Sequence, residues 1–220
     1  MPELLTYRKF NDLALANNLA EILAAHHIEY VLEESPDLFN PSFATRTEMS
    51  REYWVKISSD DFDRANQVIE AYEGRYADEA DLDHYLFGFD DDELMEIINK
   101  PDEWSAFDYA LAKKILKERG VVIDAAREKE IGEKRMQELK KPEHSEHFWV
   151  MVGYFFALFG GVLGFFIGWH LWKSKKTLPN GEQVFVYSPG DRNSGKWIFY
   201  LSVVGLIAAT YKLYILAPPY

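Results

Sequence analysis

From Phe148 to Trp172 the chain runs FWVMVGYFFALFGGVLGFFIGWHLW, 25 residues without Asp, Glu, Lys or Arg. As one helix that stretch is about 37 Å long, more than the roughly 30 Å of a bilayer's hydrocarbon core. A second apolar stretch, Trp197 to Leu216, follows a polar loop. The pair predicts a transmembrane α-hairpin, with spans at 148–172 and 197–216, a loop at 173–196, and the preceding chain as a water-facing head. Trp149, Trp172, Trp197, Tyr200, Tyr211 and Tyr214 fall near the span ends, where amphipathic rings collect at bilayer interfaces. Gly160, Gly164 and Gly168 recur every four residues on one helical face, and Gly205 and Ala209 repeat the spacing in the second span. Residues this small let helices approach closely, so these five are the expected transmembrane packing contacts.

Charge divides at the same place. The net charge is −12, but residues 1–124 carry a strong acidic excess and the rest a slight basic one. An acidic head argues against nucleic-acid binding, which requires a basic surface to displace counterions from phosphates. There is no Cys, hence no disulfide framework, thiolate metal site or thiol nucleophile. The first 30 residues have no basic segment leading into an apolar one, so no signal peptide is expected there. Lys and Arg flank both sides of the first span equally and do not orient it. A folded head without an export signal places the head and both termini in the cytoplasm, at a bacterial inner membrane.

Leu4 to Phe10 has the character of a first strand. Asn11 or Asp12 is placed to cap a helix whose Leu15, Leu19, Ile22 and Leu23 share a face, ending near His26–His27. Ile28 to Glu33 predicts a second strand. Residues 35–49, with Pro36, Pro41, Leu38, Phe39 and Phe43, break the rhythm and predict an apolar loop. Tyr53 to Ile57 alternates as a third strand. Ser59 or Asp60 opens a second helix with a stripe of Phe62, Ala65, Val68, Ile69 and Tyr72, stopped at Gly74. Strand, helix, strand, strand, helix is most of a split βαβ unit, so residues 1–74 are expected to form an α+β, ferredoxin-like βαββα(β) head. Arg75 to Ala80 is too acidic for a convincing fourth strand.

The helix opening near Ala14 to Leu19, the strand Ile28 to Leu32, and the run Val55, Ile57, Asp61, Ala65 resemble a small bacterial domain family described as signal-transducing, with a PII-like ferredoxin fold. The resemblance covers about a third of the chain and rests on apolar positions. It implies a fold and brings no ligand residues.

Residues 81–123 predict a helical extension. Asp90 and Glu93 have capping-box spacing before Leu94, Ile97 and Ile98; Ser105 and Asp108 open the next helix, closed by Gly120. The stretch from His84 to Gly120 resembles an extension in Bacteroidetes-type membrane proteins. Residues 124–147 are charged all round, as a solvated helical stalk broken at Pro142.

No catalytic signature emerges. His144 and His147 have metal-like spacing but lie at an expected membrane boundary; the acidic run 90–93 lacks the calcium-loop pattern; His26–His27 suits a helix C-terminus; His170 sits at a span end. No phosphate-binding glycine loop or nucleophile motif is present. No enzyme activity, metal or cofactor is therefore expected. Pro179–Asn180–Gly181 predicts a turn in the 173–196 loop. The chain reads as a membrane-anchored, non-catalytic binding or adaptor protein, partnered by the bilayer and by a protein or a second copy of itself, with Phe39, Phe43, Tyr53 and Trp54 as partner contacts. The alternative is a structural or assembly subunit of a larger complex, working through its glycine-lined helices.

Overall fold

A computed structural model describes residues 3–34, 51–77, 79–81, 83–143, 147–158 and 161–216. The chain divides into two compact units, Met1–Glu138 with Thr177–Glu182, and Leu139–Lys176 with Gln183–Tyr220.

The first unit begins with β1 (Leu4–Phe10), α1 (Leu13–Ala25), β2 (Tyr30–Glu34), β3 (Tyr53–Ser58) and α2 (Phe62–Ala77). The sheet order is β1-β3-β2, with both pairings antiparallel. Alternation along β3 turns Val55 and Ile57 inward, where they are buried with Leu5, Leu19, Leu23, Ile28, Phe62 and Ile69. The Asp12 side chain caps α1 by accepting from Ala14 N–H at 2.7 Å. The buried stripe of α1 is Ala16, Leu19, Ala20 and Leu23; Leu15, expected inside, is 55% exposed. Small residues at 16 and 20 share the buried face with Leu19 and Leu23. The helix ends where expected: His27 N–H reaches Ala24 O and Ile28 N–H reaches Leu23 O, the paired bonds of a Schellman motif. His27 supplies the left-handed residue, at φ 55°.

The second layer of this unit is helical. Gly74 does not stop α2, which runs to Ala77, and Gly74 instead faces Ala110, to which an added Cβ would stand 4.0 Å away. The helix α3 (Asp91–Asn99) opens with a complete capping box between Asp90 and Glu93. Ser105 caps α4 (Ala106–Glu118) by accepting from Asp108 N–H at 2.9 Å. Leu86, Leu94, Ile97, Leu111 and Leu116 form a second core. The charged helix α5 (Ala125–Lys140) buries no residue. It is held by one face on which Glu128, Ile131 and Arg135 fall at i, i+3 and i+7. Glu128 receives Tyr109 and Lys113, each at 2.8 Å, and Arg135 grips Asp102 with two bonds at 2.8 and 2.9 Å.

The expected ferredoxin-like fold is not formed. The sheet has three strands among the described residues, because residues 75–77 extend α2 rather than starting a fourth. About 65% of the described chain is helical, in eight helices beside a small sheet.

The second unit holds α6 (His147–Leu158), α7 (Val162–Lys173) and α8 (Pro189–Leu216), and between α7 and α8 the strands β4 (Lys175–Thr177) and β5 (Gln183–Phe185) pair as a short ribbon. The expected span 148–172 is not one helix. Gly161 is extended, at φ −87° and ψ 129°, and its N–H bonds Phe156 O at 2.8 Å. The two 12-residue helices on either side are each about 18 Å long, well short of a hydrocarbon core. The 28-residue α8 opens with PGDRNSGK and carries Lys212 near its far end. No helix among the described residues is long and apolar enough to cross a membrane. The lack of such a helix overturns the expected transmembrane hairpin, and with it the integral inner-membrane location with cytoplasmic head and termini.

Candidate functional site

Three side chains and one backbone carbonyl of the first unit gather at a backbone turn. Tyr7 sits at a register shift in β1, between Thr6 and Arg8, which directs its ring onto Phe62 at the start of α2, edge to face with centroids 5.2 Å apart. Its hydroxyl donates to Asn66 Oδ1 at 2.7 Å. Burial raises the Tyr7 hydroxyl's pKa and the neighbouring Arg8 opposes that rise, so the donor stays protonated. With Oδ1 occupied, the Asn66 amide presents Nδ2, which donates to Pro179 O at 2.8 Å.

Pro179 belongs to a tight turn counted with the first unit. Gly181 N–H bonds Leu178 O and Leu178 N–H bonds Glu182 O, both at 2.8 Å. Asn180 Oδ1 accepts from Glu182 N–H at 3.1 Å. Proline second, glycine fourth and a left-handed Gly181, φ 81°, are the pattern of a turn followed by a glycine bulge. Leu178 is 3% exposed. A Cβ on Gly181 would collide with the Ser59 carbonyl and lie 3.0 and 3.1 Å from the Phe62 ring. The turn itself is legible in the sequence; its seat is not, because Tyr7, Ser59, Phe62 and Asn66 follow no motif and are brought together by folding.

The expected partner contacts separate. Phe39 and Phe43 lie outside the described residues. Tyr53 packs against the sheet core. Trp54, on the opposite face of β3, is engaged within the unit: its Nε1 donates to Glu52 at 2.9 Å, and the Lys9 and Lys56 ammonium groups lie 4.8 and 5.6 Å from its ring.

The second unit is built on glycine contacts. A Cβ on Gly164 would stand 2.5 Å from Ser202 Oγ and 2.7 Å from Ala157 N; one on Gly168 would stand 2.5 Å from Phe199 N. Gly153 and Gly195, not singled out in the sequence, are equally tight, against Ile198 at 2.9 Å and Leu171 at 2.6 Å. Gly195, Ile198 and Ser202 form one stripe of α8, which Gly205 and Ala209 would continue; Ala209 is exposed and Gly205 half-buried. Gly160 lies outside the described residues. These small residues pack α7 against α6 and α8 in a helical unit rather than in the expected transmembrane pair. Large apolar side chains point outward instead: Met151 is 71% exposed, and Phe148, Phe155, Phe166, Val204 and Ile207 are all above half.

Two histidines sit in hydrogen-bonded clusters. Ser105 Oγ donates to Asp108 Oδ2 at 2.6 Å, so its proton is directed to that carboxylate. His84 Nδ1 accepts from Leu86 N–H, and Tyr85 donates to Asp108 at 2.8 Å, its hydroxyl pushed up to about 12 by burial and that carboxylate. His170 bridges Ser174 at 3.0 Å and Tyr187 at 3.1 Å, tying the end of α7 to the chain after β5. Of the sequence's metal candidates, His144 lies outside the described residues, and among those residues no group of three or more His, Asp or Glu could hold a metal ion. No protein family, curated protein or solved structure matches the chain.

Proposed function

We propose that this chain is a non-catalytic binding and assembly protein whose second unit docks on another helical protein surface. The observation carrying this is the inversion of that unit: Gly153, Gly164, Gly168 and Ser202 lie at its helix contacts while Phe148, Met151, Phe155 and Phe166 face outward. Exposed apolar area on this scale marks an interaction surface, since each square ångström removed from water contributes roughly 25 cal/mol. Aromatic and Met side chains are also the types enriched at interface cores. Residues 148–172 carry no charge that like-with-like pairing would set in repulsion, so the face is compatible with a second copy of this chain, which we take as the partner.

Sedimentation velocity of the full chain tests the reading, with Phe166→Glu and Val204→Glu as variants. A discrete oligomer that both substitutions dissolve, and that Trp54→Ala leaves intact, is expected. A monomer at all concentrations overturns it, as does flotation of a monomeric chain with phosphatidylcholine vesicles, which would make lipid the covering agent.

A further inference from the structure

We infer that the outer face of α8 is a coiled-coil seam that pairs antiparallel with α8 of a second copy, Val204 of each chain opposite Ile207 of the other. This rests on the proposed self-association of the second unit, and it names the helix and the register that carry it.

Trp197, Tyr200, Val204, Ile207, Tyr211 and Tyr214 follow one another at intervals of 3, 4, 3, 4 and 3 residues, the spacing of positions a and d in a left-handed coiled coil. All six are exposed, from 45% at Tyr200 to 82% at Tyr214. Tyr200, the least exposed, also leans on the Trp172 ring, with centroids 6.1 Å apart. The opposite face of α8 is occupied: Gly195, Ile198 and Ser202 are buried and meet Leu171, Gly153 and Gly164 of α7 and α6.

The seam is self-complementary. Reversed about its midpoint, it pairs Trp197 with Tyr214, Tyr200 with Tyr211 and Val204 with Ile207. Every layer then sets an a position against a d position, with aromatic layers at both ends and a β-branched layer at the centre. A two-fold axis through that midpoint makes the contact isologous and closed. Antiparallel alignment also lays the positive end of each helix beside the negative end of the other. A parallel pair favours Leu at d, where this seam has Tyr200, Ile207 and Tyr214. Residues 197–211 include no Asp, Glu, Lys or Arg, so closing the layers strands no charge. The Thr210 hydroxyl beside the seam is satisfied within the helix, donating to Leu206 O and Ile207 O at 3.0 and 2.9 Å.

The area suffices for a dimer. At about 150–250 Å² for a large side chain, the six exposures leave up to roughly 800 Å² per protomer to bury, one partner's share of a standard interface. About two and a half heptads is short for free helices. Here α8 is already held helical by its own unit, so pairing does not have to order it.

The chain has no Cys, so introduced thiols report the register without background. Antiparallel pairing puts residue 200 of one copy beside residue 211 of the other. The two copies of residue 200 then stand about 16 Å apart along the axis, beyond the roughly 7 Å between Cα atoms that a disulfide can span. Oxidation of full-length Tyr200→Cys/Tyr211→Cys should shift the chain to twice its mass on non-reducing gels, while each single variant keeps its own mass. If wild type sediments as a dimer but the double variant does not cross-link, or either single variant does, the inference is overturned and self-association stands. Wild type that is monomeric at all concentrations, or that floats as a monomer with phosphatidylcholine vesicles, overturns both. Should the double variant lose the dimer, Trp197→Cys/Tyr214→Cys in the outermost layers gives the same comparison, its single-variant thiols about 25 Å apart, and the same outcomes decide.

Discussion

Replacing Gly168 with alanine probes how closely α7 and α8 are packed. The added Cβ would lie 2.5 Å from Phe199 N, 2.8 Å from Gly195 O and 2.9 Å from Phe199 Cα. All three are backbone atoms of α8, so no side chain can swing aside. Carbon contacts settle near about 3.5–4.0 Å, so the helices must part by roughly 1 Å. Overpacking against backbone that cannot rotate away falls in the upper part of the usual range, about 2–3 kcal/mol, and alanine returns about 1 kcal/mol as the better helix former. The net loss is about 1–2 kcal/mol, which lowers a urea midpoint by roughly 0.5–1 M. Trp149, Trp169, Trp172 and Trp197 all lie in the second unit, and the Trp172 ring is 5.7 Å from that of Phe199, so tryptophan fluorescence reports its unfolding. Gly132→Ala is the control. It sits in α5 with nothing within 4 Å of its would-be Cβ, so the same substitution should stabilise its helix by up to about 1 kcal/mol. A Gly168→Ala chain that unfolds at the wild-type urea concentration or above would refute the close-packing argument.

Three further outcomes are expected. His27→Gly should raise the first unit's stability by about 0.5–1 kcal/mol in urea melts, because the left-handed position costs a residue with a Cβ. Ser202→Ala should be neutral or stabilising by up to about 1 kcal/mol, since its buried hydroxyl lacks a partner among the described residues; destabilisation would reveal an unseen acceptor. Burial alone would raise the Glu128 carboxyl, but the Lys113 and Tyr109 bonds outweigh it and hold its pKa down. A depressed carboxylate contributes its full stability above the unfolded value, near 4.3, and loses it as pH falls through the folded one. Asp102 is lowered too, Arg135 outweighing burial. Hydrogen exchange should therefore show α5 loosening below about pH 4 before the sheet does, and Glu128→Gln should show it loose at pH 7.

Local chemistry was legible where it is local. The capping box at Asp90 and Glu93, the Ser105 cap, the end of α1 at His26–His27 and the bounds of β1 all follow from short spacings, and each forms. Long-range packing was not legible. Ala16 and Ala20 are buried on α1 where Leu15 is not, a rotation of the buried face that apolar periodicity alone does not fix. Gly74 has the composition of a stop signal, yet α2 passes through it, and a Cβ there would meet Ala110 on α4 only at an ordinary contact distance of 4.0 Å. The run 148–172 is uniformly apolar, so hydropathy cannot register the break that the extended Gly161 makes in it. The four residues around Pro179 are scattered across β1, the turn after β3 and α2, and no spacing rule joins them to residue 179.

The return of residues 177–182 to the first unit has a consequence for synthesis. When Glu138 has left the ribosome, the segments that form the strands and helices of that unit are all present, but the turn that packs beside Asn66 is not. About 40 further residues must be made first, which takes about 2–8 s at ribosomal rates of 5–20 residues per second. During that interval the donor of Asn66 and the Ser59–Phe62 surface face whatever is nearby. The first unit is therefore completed only after α6 and α7 of the second have been made.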